Sequence, residues 1–122
     1  MAKKILIIED EQILIGMYAD RFRQEKWKVA TAATKDEGLK LTKKEKPDIV
    51  LLDILLFDGH GIEYLTVKKE DEAIAKIPVI VFSNLDDLKT KEESLKLGAL
   101  EYLLKTDYTP QELLHKIDSY LK

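Results

Sequence analysis

The stretch IVLLDILLF, Ile49 to Phe57, decides the fold. Its first four residues, Ile49–Leu52, are all aliphatic. A short continuous run of this kind suits a strand buried on both faces. One carboxylate, Asp53, interrupts the apolar sequence. An unpaired charge inside a core is strongly unfavourable. Asp53 is therefore expected at the rim of the core, with Ile54–Phe57 starting the loop that leaves the strand.

Similar runs recur on either side at Ile5–Ile8, Val29–Ala32, Val79–Phe82 and Tyr102–Leu104. The segments between them have helical character. The first sets Leu14, Met17, Tyr18 and Phe22 on one face. The second opens with Thr34-Lys-Asp-Glu37, a capping-box pattern, and stops before Pro47. The third runs from Ile62 to about Glu70, with Ile62, Leu65 and the Lys69 stem directed inward. The fourth, about Leu88–Leu97, is closed by Gly98, a suitable left-handed cap. The last opens with Thr109-Pro110-Gln111-Glu112, and Leu113, Leu114, Ile117 and Leu121 form its stripe. Five strand–helix alternations predict an open parallel α/β sheet with every strand's carboxyl end on one edge.

Composition narrows the functional classes. The 122 residues suit one domain, and 45% apolar with 35% charged content is globular chemistry. Acidic and basic residues are mixed, leaving a net charge of −3. The basic footprint of a nucleic-acid binder is missing. With no cysteine, disulfides and thiolate metal sites are excluded. No stretch approaches the roughly 18 apolar residues of a membrane span, and the apolar run after Lys3-Lys4 is too short for a signal peptide. The expectation is a cytoplasmic protein that engages neither membrane nor nucleic acid directly.

The residues just past each strand carry the chemistry. After Ile8 come Glu9 and Asp10, after Leu52 comes Asp53, after Phe82 comes Ser83, and after Leu104 comes Lys105. Ligands of open α/β sheets bind beyond this edge. Clustered carboxylates raise one another's pKa, and a hard divalent cation with oxygen ligands, such as Mg²⁺, relieves the repulsion. Lys105 adds a positive charge for phosphoryl oxygens. Asp53 is then a candidate nucleophile, because carboxylates form acyl phosphates.

These features resemble the receiver domains of two-component response regulators. The resemblance rests on Glu9-Asp10, Asp53 after KPDIVLL, Ser83 after PVIVF and Lys105 after EYLL, in order across essentially the whole chain. It implies a flavodoxin-like, five-stranded parallel sheet of order 2-1-3-4-5 with helices on both faces. Residues 1–122 would then be a single receiver domain with no output domain. Asp53 would be the phosphoacceptor. Asp10, Asp53 and the backbone carbonyl of Leu55 would ligate Mg²⁺, with Glu9 acting through a water. Ser83 and Lys105 would bind the phosphoryl group, and Ser83 and Tyr102 would form the switch. The implied donor is a histidine kinase or phosphotransfer protein. The signal would pass to a protein target in trans through the face of the fourth helix, fifth strand and fifth helix. Phosphorylation-dependent homodimers of family members use that face too. The chain would catalyse only its own aspartyl phosphorylation and dephosphorylation.

Several positions depart from the family pattern. Phe57 stands where proline is usual, His60 replaces a small polar residue, Asn84 replaces a small one, and Thr106 replaces the proline after Lys105. Leu55 and Leu85 put apolar groups beside the expected phosphoryl site, which implies slow self-dephosphorylation. Simpler roles compete at some positions: packing for Tyr102, structural roles for His60 and His115, and solvated helix faces for the lysines of Lys40–Lys46. Three other functional readings remain: a phosphorylation-independent interaction module, a receiver excised from a larger regulator, and a Mg²⁺-dependent phosphatase. The phosphatase would need a second acid two residues after its nucleophile, where this chain has Leu55.

Overall fold

The computed structural model describes residues 2–122. Its elements are β1 (Lys4–Ile8), α1 (Gln12–Gln24), β2 (Lys28–Ala32), α2 (Lys35–Glu45), β3 (Ile49–Leu52), β4 (Leu55–Leu56), β5 (Gly59–His60), α3 (Gly61–Glu70), β6 (Val79–Ser83), α4 (Leu88–Lys96), β7 (Glu101–Leu104) and α5 (Pro110–Ser119). A single 3₁₀ turn, Lys105–Asp107, joins β7 to α5.

Five strands form one parallel sheet in the order β2-β1-β3-β6-β7. This is the expected 2-1-3-4-5 order, because β4 and β5 are a separate antiparallel hairpin outside the sheet. The hairpin replaces the plain loop expected after Asp53. Its two-residue strands are too short to carry a periodic signal.

The aliphatic runs divide by alternation. Ile5, Ile7, Ile49, Leu51, Ile80 and Phe82 pack with α1 and α5 on one face. Leu6, Ile8, Val50, Leu52, Val79 and Val81 pack toward the opposite face, with Tyr64 and Leu65 of α3. Strands covered on both sides need no polar face, which is why the sequence shows runs rather than alternation. Phe22 and Trp27 stack edge to face at 5.0 Å in the first of these layers.

Two helices differ in phase from the sequence reading. In α1 the buried residues are Ile15, Tyr18, Ala19 and Phe22, and Met17 faces outward. In α3 the inward lysine is Lys68, not Lys69, alongside Tyr64 and Leu65. The Lys68 ammonium donates to the Ala75 carbonyl at 3.0 Å, and burial lowers its pKa. Thr34 does cap α2, accepting from the Glu37 amide at 3.1 Å. Asp58 adds a second cap, its carboxylate accepting from the two amides that follow Thr34, those of Lys35 at 2.7 Å and Asp36 at 3.2 Å. Thr109 and Glu112 form the complete capping box expected for α5.

Gly61, the first residue of α3, lets that helix press against the end of β3. A Cβ there would lie 2.8 Å from the Asp53 carbonyl oxygen and 2.9 Å from the Ile54 Cα. Both are backbone atoms and cannot rotate away. Gly61→Ala should therefore destabilise the fold by about 1–3 kcal/mol, read as a lower urea midpoint.

Candidate functional site

Register brings the site together. Ile8 of β1 pairs with Leu52 of β3, so Glu9 and Asp53 leave adjacent strands at the same level. Two further ladder bonds extend past the strand ends: the Asp53 amide to the Ile8 carbonyl and the Glu9 amide to the Ala32 carbonyl, both at 3.0 Å. Ser83 of β6 pairs with Leu104 of β7, and Lys105 comes directly after. Residues far apart in sequence thus share one edge because their strands end in step.

Glu9, Asp10 and Asp53 each offer a carboxylate oxygen, all within 4.8 Å of one another. The Lys105 ammonium donates to Asp53 Oδ2 at 3.0 Å and to Glu9 Oε1. Glu9 is only 3% exposed and Asp53 8%, so both sit deeper than the rim position expected for Asp53. Behind them the Tyr18 ring meets Phe82 edge to face at 5.5 Å. The helical pattern marks Tyr18 only as core. Its ring is also part of the apolar wall that keeps water from these carboxylates.

Charge explains the arrangement. Three carboxylates cluster here, and among the described residues the Lys105 ammonium pairs with two of them, Glu9 and Asp53. Burial pushes the Glu9 carboxyl up from 4.5 to about 7, and the negative charge of Asp53 adds to the rise against the opposing pull of Lys105. Desolvation opposes the charge on Lys105 as well. Its bond to Glu9 and the charges of Asp53 and Glu9 outweigh that, holding its pKa above the ordinary lysine value. Glu9 also accepts from the amides of Asp10 at 2.9 Å and Glu11 at 3.2 Å, fixing the start of α1.

Ser83 and Tyr102 meet through Leu85. The Ser83 hydroxyl accepts from the Leu85 amide at 3.2 Å, and the Tyr102 hydroxyl donates to the Leu85 carbonyl at 2.5 Å. The loop after β6 is therefore held at one residue by both expected switch residues. Both side chains are buried. Leu55 lies in the β4–β5 hairpin and is exposed. His60 caps α3, its Nδ1 accepting from the Ile62 amide at 3.1 Å, a structural role as expected. Glu101 and Lys116 pair with each other within the chain, 3.2 Å apart.

Residues 5–118 match the response regulator receiver domain, and the chain belongs to that family. A probable transcriptional regulator, ycf27 of Cyanophora paradoxa, is 33% identical over 98% of this chain and 48% of its own length. The alkaline phosphatase synthesis transcriptional regulatory protein PhoP of Bacillus subtilis is 29% identical over 100% of this chain and 50% of its own. The chain thus spans about half the length of these curated relatives. Among solved structures, a CheY-like receiver domain protein from Methanospirillum hungatei superposes with a TM-score of 0.92 at 30% identity, covering 99% of this chain and 94% of that one. Family membership associates the chain with phosphorylation-based two-component signalling.

A buried carboxyl with a raised pKa ties stability to pH. Glu9 binds its proton more tightly folded than unfolded. Its stabilising contribution is complete below 4.5 and is lost as pH rises through about 7. In metal-free buffer the urea midpoint should therefore fall between about pH 5 and pH 8, and Glu9→Gln should flatten that fall.

Proposed function

We propose that this chain is a phosphorylation-controlled switch whose phosphoacceptor is Asp53. The observation that carries the reading is the Lys105 ammonium bridging Asp53 and Glu9 at the carboxyl edge of the sheet, with Asp10 alongside. An Asp53 oxygen attacks the phosphorus of a phosphohistidine on a histidine kinase or phosphotransfer protein. The O–P bond forms as the N–P bond breaks, and its electron pair stays with the imidazole. Lys105 would hold a phosphoryl oxygen, and the Ser83 hydroxyl would donate to another.

The donor set fits Mg²⁺. Its side-chain ligands are oxygen only, and three carboxylates face a single ammonium. Asp10, Asp53 and the Leu55 carbonyl would hold the ion, with Glu9 reaching it through a water. When bound, Mg²⁺ would offset the negative charge gathered by the carboxylates and the phosphoryl oxygens.

Recruiting Ser83 to the phosphoryl group would pull on Leu85, and Leu85 is bonded to Tyr102. That chain of bonds links the site to β7 and so to the face of α4, β7 and α5, where the signal would leave. The output goes to a protein partner in trans, or through a phosphorylation-dependent homodimer. A second reading has this receiver controlling a covalently attached effector, since the relatives are about twice its length. The chain's only catalysis is its own phosphorylation and dephosphorylation, and its setting is cytoplasmic. Leu55 and Leu85 position no attacking water, so the phosphorylated form persists.

Incubation with Mg²⁺ and a small acyl-phosphate donor should add one phosphate by intact mass. The adduct should vanish in Asp53→Ala and should decay faster in a Leu55→Asn, Leu85→Glu variant. An adduct retained in Asp53→Ala, or none on folded wild type, contradicts the reading.

A further inference from the structure

We propose that Tyr18 is a positioning residue for the acceptor carboxylate, its hydroxyl holding one water in a small void behind Glu9 and Asp53. This rests on the phosphoacceptor reading above and deepens it to the way the acceptor is held.

The wall of Tyr18 and Phe82 that shuts bulk solvent away from the carboxylates leaves one void beside them. Tyr18, Glu9 and Asp53 line it together with Ile7, Leu51 and Phe82. Its volume is about 10 Å³, close to the least that a water needs. The aliphatic and phenyl groups supply no hydrogen bonds. The phenol and the two carboxylates supply three polar partners, the usual number for a buried water.

Tyr18 has the spare group that such a water requires. Three tyrosines are buried: Tyr18, Tyr64 and Tyr102. Tyr64 bonds through its hydroxyl with Thr42 at 2.8 Å, and Tyr102 with the Leu85 carbonyl at 2.5 Å. The Tyr18 hydroxyl has no protein partner among the described residues, although the side chain is only 4% exposed. A buried tyrosine hydroxyl ordinarily finds one. No fully enclosed side-chain oxygen or nitrogen among the described residues lacks a partner, so the Tyr18 hydroxyl borders space that water can enter.

The polarity of the three groups fixes the direction of each bond. Burial raises the pKa of the phenol above the ordinary tyrosine value, Lys105 opposes the rise, and Glu9 and Asp53 add to it. The phenol is therefore a donor at neutral pH. Ionised carboxylates only accept. One water satisfies all three by accepting from Tyr18 and donating one proton to Glu9 and one to Asp53. Asp53 is otherwise held by Lys105, which donates to Oδ2 at 3.0 Å. In the proposed transfer Lys105 turns to a phosphoryl oxygen. The water then remains as the restraint on the acceptor carboxylate from within the core. The ring that carries the hydroxyl is itself pinned, edge to face on Phe82 at 5.5 Å. Small displacements of a nucleophile cost rate, so such a restraint favours transfer.

Tyr18→Phe keeps the ring on Phe82 and removes only the hydroxyl. Phosphorylation by phosphoramidate at saturating Mg²⁺, followed by intact mass, should slow by about two- to tenfold, the loss expected for one net hydrogen bond. Crystal structures supply the readout that a packing role would not move. Wild type should show one water within hydrogen-bond reach of the Tyr18 hydroxyl and of both carboxylates, and Tyr18→Phe should show none. Phe22→Leu, a core change on the same helix, should lower the urea midpoint and leave the phosphorylation rate at its wild-type value. A wild-type void without water, or Tyr18→Phe phosphorylated as fast as wild type, would overturn the inference. So would Phe22→Leu slowing the rate as much as Tyr18→Phe, since the effect would then follow stability alone. Absence of any adduct on wild type would instead strike the phosphoacceptor reading itself.

Discussion

The Lys105 ammonium lies between two buried carboxylates, Asp53 and Glu9, and the functional edge of the protein is organised around that contact. Buried charges are tolerated only when paired and hydrogen-bonded. Here the pairing joins the ends of β1, β3 and β7. It is also incomplete, because Asp10 adds a third carboxylate and the ammonium is single. The result is an edge with unmatched negative charge beside a lysine suited to phosphoryl oxygens. Under the proposed function, that combination would favour a bound cation and an incoming electrophilic phosphoryl group.

The surrounding scaffold keeps this edge in place with ordinary devices. Parallel strands that end in step set the height of each functional residue. Gly61 brings α3 against the backbone of Asp53 and Ile54. Asp58 ties the hairpin after β3 to α2. On the far side, Leu85 is bonded to both Ser83 and Tyr102, giving the site a physical connection to β7. These contacts lie on separate loops, and each rests on a rigid strand or helix.

Much of this is legible in the sequence. Doubly buried strands announce themselves as aliphatic runs, and the break at Asp53 marks where one ends. Glu9, Asp10, Ser83 and Lys105 come after their runs in the same manner, so the sheet edge can be assembled from order alone. Other features have no local signature. The β4–β5 hairpin is too short for a period, and Asp58 caps a helix that begins 23 residues earlier. Lys68 and Lys69 differ by one step of helical phase, and so do the neighbours of Met17. Only packing against the sheet selects between them. The depth of Glu9 and Asp53 is likewise a tertiary fact, set in part by the Tyr18 ring on α1.

Phosphate should land on Asp53 and on no neighbouring acid. Borohydride reduces an acyl phosphate to an alcohol and leaves an ordinary carboxylate alone. Protein phosphorylated by a small donor, reduced and mapped by peptide mass spectrometry should therefore carry homoserine in place of Asp53. Reduction mapped instead to Glu9, Asp10 or a residue away from this edge would contradict the account.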